Sequence, residues 1–134
     1  MLLWELRHAA EPKYSQLNPV RGGLTVLQLR RIKEFVDVHL SKGIGISELA
    51  NLVGLSQFHF IRAFKHSVGV SPYQFVLSER ISVAKEMLSK RDLSIADVAL
   101  AVGFSDASQL NRVFRKVIGV TPTVFRRENG LGCP

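Results

Sequence analysis

The feature that most constrains this chain is a segment written twice. Residues 46–75 read ISELANLVGLSQFHFIRAFKHSVGVSPYQF, and residues 95–125 read IADVALAVGFSDASQLNRVFRKVIGVTPTVF. Ile46, Leu49, Ala50, Val53, Gly54 and Ser56 recur as Ile95, Val98, Ala99, Val102, Gly103 and Ser105. After one extra residue in the second copy, Arg62, Phe64, Gly69 and Pro72 recur as Arg112, Phe114, Gly119 and Pro122. Agreement at so many spaced positions, through core-type and turn-type residues alike, makes each copy one supersecondary unit. Whatever the first copy folds into, the second is expected to fold into as well.

Each copy has the grammar of two short helices joined by a turn. Ile46, Leu49 and Val53, and in the second copy Ile95, Val98 and Val102, give the first helix an apolar face. Ala50 and Ala99 are small enough for a second helix to cross closely. Gly54 and Gly103 are expected to end the first helix in a left-handed conformation. Ser56, and Ser105 or Asp106, are the candidate caps of the second helix. Phe60 with Phe64, and Leu110 with Phe114, lie four apart and are expected to face inward. Gly69 and Gly119 stop that helix. Ser71-Pro72 and Thr121-Pro122 then place a capping residue before proline at a first helical position.

The flanks extend the helical pattern. Thr25 with Gln28 three residues on is a capping-box pair. Leu29, Ile32, Phe35, Val36 and Leu40 follow at helical spacing, and the helix is expected to end at Gly43. Between the copies, Pro72 to Lys90 carries Phe75, Ile81, Ala84 and Leu88 on one apolar face. A helix of that length spans roughly 28 Å at about 1.5 Å per residue, against a spacing of about 34 Å between successive major-groove faces of duplex DNA. No segment alternates with period two, so no strand is expected. Residues 1–23, with Pro12, Pro19, Gly22 and Gly23, read as a linker or the remnant of an upstream region, and 129–134 as a flexible tail. The expected fold is all-α: two helix-turn-helix subdomains over 24–128 joined by a long central helix, about seven helices.

Composition narrows the function. Of 134 residues, 46% are hydrophobic, enough for a core. Lys and Arg number 18 against 11 Asp and Glu, a net charge of +7, which favours a polyanionic partner. One cysteine, Cys133, excludes a disulfide framework and a cysteine zinc site. No apolar run reaches membrane-span length. Met1-Leu2-Leu3-Trp4-Glu5 has neither a basic leader nor a long apolar stretch, so a cytoplasmic protein is expected.

A DNA-reading helix needs polar or basic side chains directed outward near its N-terminus and few acids. Gln57, Phe58, Ile61, Arg62 and Lys65 lie off the Phe60/Phe64 face, and residues 56–68 contain no acid. In the second copy Ala107, Ser108, Asn111, Arg112 and Arg115 take the outward positions. Arg62 and Arg112 suit the O6/N7 pair of guanine, and Asn111 suits adenine. Gln57 reads a base or bonds a phosphate, and Phe58 and Ile61 suit thymine methyls, although Phe58 could pack in the core instead. Lys65, Arg115 and Lys116 are the expected phosphate contacts, which add affinity without reading sequence.

Other candidate chemistry fails on its own terms. His59 and His66 sit seven apart without a third or fourth ligand, so no metal is expected. Glu48 and Asp97 fall at matching positions and read as structural; Asp97 forms a capping-box pair with Ser94. No nucleophile with a base and an orienting group is visible, so neither an enzyme nor a cofactor is expected. An enzyme with helices of this type beside an alkyl-accepting cysteine would need a better-placed thiol than Cys133. A protein-interaction module on the same fold is the remaining competitor, and the basic outward residues argue against it.

From Leu24 to Arg127 the chain resembles the DNA-binding domain of the AraC/XylS family of bacterial transcription regulators. The resemblance rests on Arg80-Ile81 with Ala84, Ile95-Ala96-Asp97-Val98-Ala99, Gly103-Phe104-Ser105-Asp106, Phe114-Arg115-Lys116, Gly119-Val120-Thr121-Pro122 and Phe125-Arg126-Arg127. It implies two helix-turn-helix subdomains on one face of promoter DNA. It also implies base contacts at Phe58, Ile61 and Arg62 and at Ser108, Asn111 and Arg112, and recruitment of RNA polymerase. The chain departs from the family pattern at Gln109-Leu110 and at Ile61, where a polar reader is usual. Family members commonly carry an effector or dimerisation domain. With 23 residues before the repeat-bearing region, the expectation leans towards a fragment over a short stand-alone member. The two units are therefore expected to read DNA unequally.

Overall fold

The computed structural model of the chain describes residues 22–90 and 92–129. Among the described residues there are seven helices and no strand: α1 Val26–Val38, α2 Ile46–Leu52, α3 Gln57–Val68, α4 Pro72–Lys90, α5 Ile95–Ala101, α6 Ala107–Ile118 and α7 Pro122–Asn129. The two expected helix-turn-helix motifs are α2–α3 and α5–α6. The expected linker up to residue 21 and the tail from 130, with Cys133, lie outside the described residues. Helix α7 runs one residue beyond the expected boundary.

The helices form two compact units. One holds the described residues up to His39 together with Ile44–Val76; the other holds Leu40–Gly43 and the described residues from Leu77 onward. Helix α4 thus starts in the first unit and ends in the second.

In the first unit α1 packs on α2 and α2 on α3. Leu29, Ile32 and Val36 of α1, Leu49 and Ala50 of α2, and Phe60, Ala63 and Phe64 of α3 are buried. Phe60, Phe64 and Phe75 form a tilted aromatic run with ring centroids 5.7 and 5.4 Å apart, within the range favoured by the ring quadrupoles. The Thr25–Gln28 capping box forms as expected: Thr25 N–H donates to Gln28 Oε1 at 2.9 Å and Gln28 N–H to Thr25 Oγ1 at 3.1 Å. Gln28 Nε2 also donates to the Val53 carbonyl at 3.4 Å, and Arg31 Nη1 to that of Leu52 at 3.5 Å. These contacts serve carbonyls that the end of α2 leaves open.

Helix α1 ends at Val38, short of the expected Gly43. His39 takes a non-helical cap conformation, with its ring stacked on Phe35 at 4.0 Å and its Nδ1 donating to the Phe35 carbonyl at 3.0 Å. Leu40 is buried just past this helix end and groups with the second unit.

In the second unit Ile81, Ala84 and Leu88 of α4 bury against Val98, Ala99, Val102, Phe104, Leu110 and Phe114, and Phe125 of α7 packs edge-on to Phe114 at 5.5 Å. Full burial of each large apolar side chain contributes roughly 1.5–3 kcal/mol. Ile81, Ala84 and Leu88 repeat the spacing of Leu29, Ile32 and Val36. The duplication therefore extends back to a preceding helix: α1 serves α2–α3 as the second half of α4 serves α5–α6.

Both turns close in the same way. Gly54 and Gly103 have φ of +69° and +100°. Leu55 N–H returns to the Ala50 carbonyl at 3.0 Å and Phe104 N–H to that of Ala99 at 2.9 Å. This is the six-to-one bond that a left-handed glycine permits at a helix end. The two glycines differ in their surroundings. A Cβ on Gly54 would meet nothing within 4 Å, whereas one on Gly103 would overlap the Leu40 carbonyl oxygen and lie 2.7 Å from Arg80 Nε.

Candidate nucleic-acid interface

Helices α3 and α6 carry the candidate readers, and their caps set where each begins. Ser56 Oγ accepts from His59 N–H at 3.1 Å. In the second copy Asp106, not Ser105, is the cap: its Oδ1 accepts from Gln109 N–H at 2.9 Å. Ser105 donates instead to Gln109 Oε1, through N–H at 2.8 Å and through Oγ–H at 3.1 Å. The extra residue of the second copy thus supplies the aspartate that takes the place of Ser56. At α5, Ser94 Oγ accepts from Asp97 N–H at 3.0 Å, and only this half of the expected capping box forms. Glu48 Oε1 accepts from Gly45 N–H at 2.9 Å, the structural role expected of it.

The inward faces are fixed by Phe60 and Phe64 and by Leu110 and Phe114, all fully buried. That rotation leaves Gln57, Phe58, Ile61, Arg62 and Lys65 exposed on α3. Phe58 is 64% exposed, so it points outward and does not join the core. The Arg62 guanidinium lies over its ring, 5.5 Å from the centroid. Stacking restricts the arginine, so its fork is partly pre-organised. His59 is held by Ser56, Oγ to Nδ1 at 3.0 Å, and packs edge-on to Phe58 at 5.9 Å.

On α6, Ser108, Asn111, Arg112, Arg115 and Lys116 are exposed, and with Thr121 they line one shallow concave surface. Ala107, the first residue of the helix, is half-buried and does not line it. From the sequence, Thr121 is expected only as a cap. It does cap α7, accepting from Val124 N–H at 3.2 Å, yet it also borders this surface. Its equivalence to Ser71 in the repeat hides that second role.

Neither helix contains an aspartate or glutamate. Lys65 and His66 fall in the last turn of α3, and Arg115 and Lys116 in the last turn of α6. The Lys65, Arg115 and Lys116 charges interact favourably with the negative ends of the helix dipoles. Each unit thus presents one exposed, acid-free helix with an arginine near its middle and basic side chains in its last turn. The chemistry of the two faces differs: aromatic, aliphatic and arginine on α3; hydroxyl, amide and arginine on α6.

A family model described as a helix-turn-helix domain matches residues 49–128. The probable transcription factor PqrA of Proteus vulgaris is 39% identical over 90 residues, 67% of this chain and 73% of that protein. Three further curated bacterial regulators match at 32 to 34% identity, and the chain spans 36 to 40% of their length. Among solved structures, the DNA-binding domain of AdpA in complex with a target DNA superposes with a TM-score of 0.72 at 27% identity, covering 75% of this chain and 91% of that one. A probable AraC family transcriptional regulator from Rhodopseudomonas palustris gives 0.68 at 27% identity, covering 77% and 97%.

Proposed function

This chain belongs to the AraC/XylS family of bacterial helix-turn-helix regulators, and from that membership we infer that it binds duplex DNA sequence-specifically and regulates transcription. The observation that carries the reading is the pair of matched, outward, acid-free helix faces on α3 and α6, each with an exposed arginine at the same place in the repeat. Arg112 reads guanine through its fork and Asn111 reads adenine, with Ser108 and Ala107 beside them in the groove. Arg62, held over Phe58, reads guanine in the first unit; Gln57 contacts a base or a phosphate, and Phe58 and Ile61 meet thymine methyls. Lys65, Arg115 and Lys116 bind phosphates. The two units address adjacent major grooves through one chain, so the site is not a palindrome. Contact with RNA polymerase at promoters, an effector domain elsewhere in the longer protein, and a place on the cytoplasmic nucleoid belong to the same reading. The greater length of the curated relatives supports the effector domain.

Separating readers from phosphate binders tests this directly. Arg112→Ala should lose discrimination at one base pair, about 1–3 kcal/mol, while Lys116→Ala weakens specific and random duplexes alike. Gel-shift titrations on a duplex selected from a random library and on a scrambled duplex measure both. Equal losses of Arg112→Ala on the two would contradict its role.

The exposed ring of Phe58 gives a second expected result. Replacing the thymine it faces by uracil removes one methyl group, worth about 0.8 kcal/mol when buried, or about fourfold in affinity. Phe58→Ala should bind the two duplexes equally. A wild-type chain indifferent to every thymine-to-uracil exchange would remove Phe58 and Ile61 from base readout.

A further inference from the structure

We propose that Arg80 is a positioning residue for the second reading helix, holding the turn before α6 against the segment Leu40–Gly43; the DNA arm of the test rests on the function proposed above. Arg80 lies on α4, one position before the buried Ile81. Its Nη2 donates to the Lys42 carbonyl at 2.9 Å. Its guanidinium stands over the Phe104 ring, 5.9 Å from the centroid. It also lies so close to Gly103 that a Cβ there would sit 2.7 Å from Nε and 3.0 Å from Cζ. One planar group thus touches both residues that close the turn, Gly103 and Phe104. Asp106, the cap that fixes the first turn of α6, follows two residues after Phe104. Asn111 and Arg112 lie in the next turns of that helix.

The first unit supports the assignment independently. Counting back from the buried triplets Leu29-Ile32-Val36 and Ile81-Ala84-Leu88, Gln28 and Arg80 hold the same position before the triplet. Gln28 likewise reaches the turn of its own unit, donating to the Val53 carbonyl beside Gly54. The same place in each unit therefore staples the preceding helix to the turn. In the second unit the staple is an arginine because it spans further, to the Lys42 carbonyl. The Leu40–Gly43 segment, which follows α1 in sequence, thereby becomes a wall of the second unit's turn. Lysine keeps the charge but has neither the flat face for Phe104 nor the fork for a second direction.

Two measurements on the whole chain test this. In hydrogen exchange without DNA, Arg80→Lys should speed exchange of the Gln109 and Leu110 amides, which close the first turn of α6 on Asp106, by about tenfold relative to the buried amides of α5 and to the first turn of α3. On the library-selected duplex, Arg80→Lys should relax discrimination at the base pairs assigned to Asn111 and Arg112 by about tenfold, within the range expected for a lost reader. The pair assigned to Arg62 should be read as before. If Arg80→Lys does not fold, Phe104→Leu carries the same test, since it keeps an apolar side chain and removes the ring face. Exchange that speeds uniformly through the second unit, or not at all, overturns the assignment, as does equal relaxation at the base pairs of both units. The exchange arm needs no DNA. A wild-type chain that binds no duplex thus counts against the DNA reading alone, and absent selective exchange counts against Arg80 alone.

Discussion

Gly103→Ala should destabilise the chain by about 3–5 kcal/mol, whereas Gly54→Ala, at the matching place in the repeat, should cost about 1 kcal/mol. Both glycines have positive φ, and a side chain in that region carries a penalty of order 1–3 kcal/mol. The difference lies in space. At Gly54 a methyl group points into the open, so only the backbone term applies. At Gly103 it overlaps the Leu40 carbonyl and crowds the Arg80 guanidinium. A carbonyl oxygen cannot rotate away as a flexible side chain can, and overpacking a fitted site adds about 1–3 kcal/mol. Against a typical domain stability of about 5–15 kcal/mol this is a large share. Urea denaturation of the two variants measures it, and equal costs at the two glycines would show that the Leu40–Gly43 segment does not pack on the second turn.

Binding should also fall steeply with salt. Each neutralised phosphate contributes a slope of about −0.9 in log affinity against log salt, so Lys65, Arg115 and Lys116 alone set a slope of about −2.7 and a fourfold rise in salt weakens binding about fortyfold. Removing one of the three by alanine should flatten the slope by about 0.9. Phe58→Ala and Asn111→Ala should leave the slope unchanged, because neither side chain displaces a counterion. A flat salt dependence would favour a protein partner on these faces over duplex DNA.

Much of this architecture was legible in the sequence because it is local. Capping residues, left-handed glycines and proline at a first helical position act within a few residues, and α4 occupies the span from Pro72 to Lys90 that its apolar spacing indicated. The inward faces of α3 and α6 were legible for the same reason. What escaped depends on contacts distant in sequence. Helix α1 stops before Leu40, which groups with the other unit. The kinship of α1 with the second half of α4 is one of spacing, with no identical residue among Leu29, Ile32, Val36 and Ile81, Ala84, Leu88, so alignment of the repeats could not show it. Arg80 read as part of a family pattern, and its chemistry appeared only once Lys42, Gly103 and Phe104 were brought around it. Phe58 was ambiguous because an aromatic residue suits either a core or a groove, and the rotation fixed by Phe60 and Phe64 settles it outward. From the sequence Ser105 and Asp106 are both candidates for the cap, and the Gln109 amide's bond to Asp106 decides between them.

The two copies are alike in frame and unlike in the side chains they present. The most direct test is selection of bound sequences from a random duplex library with the whole chain. The expected result is one non-palindromic motif with two unequal parts about one helical turn apart: a thymine-rich part that weakens on Phe58→Ala, and a part carrying guanine and adenine that relaxes on Arg112→Ala and Asn111→Ala. A palindromic motif, or no enrichment over random duplex, would contradict unequal reading of DNA by two helix-turn-helix units in one chain.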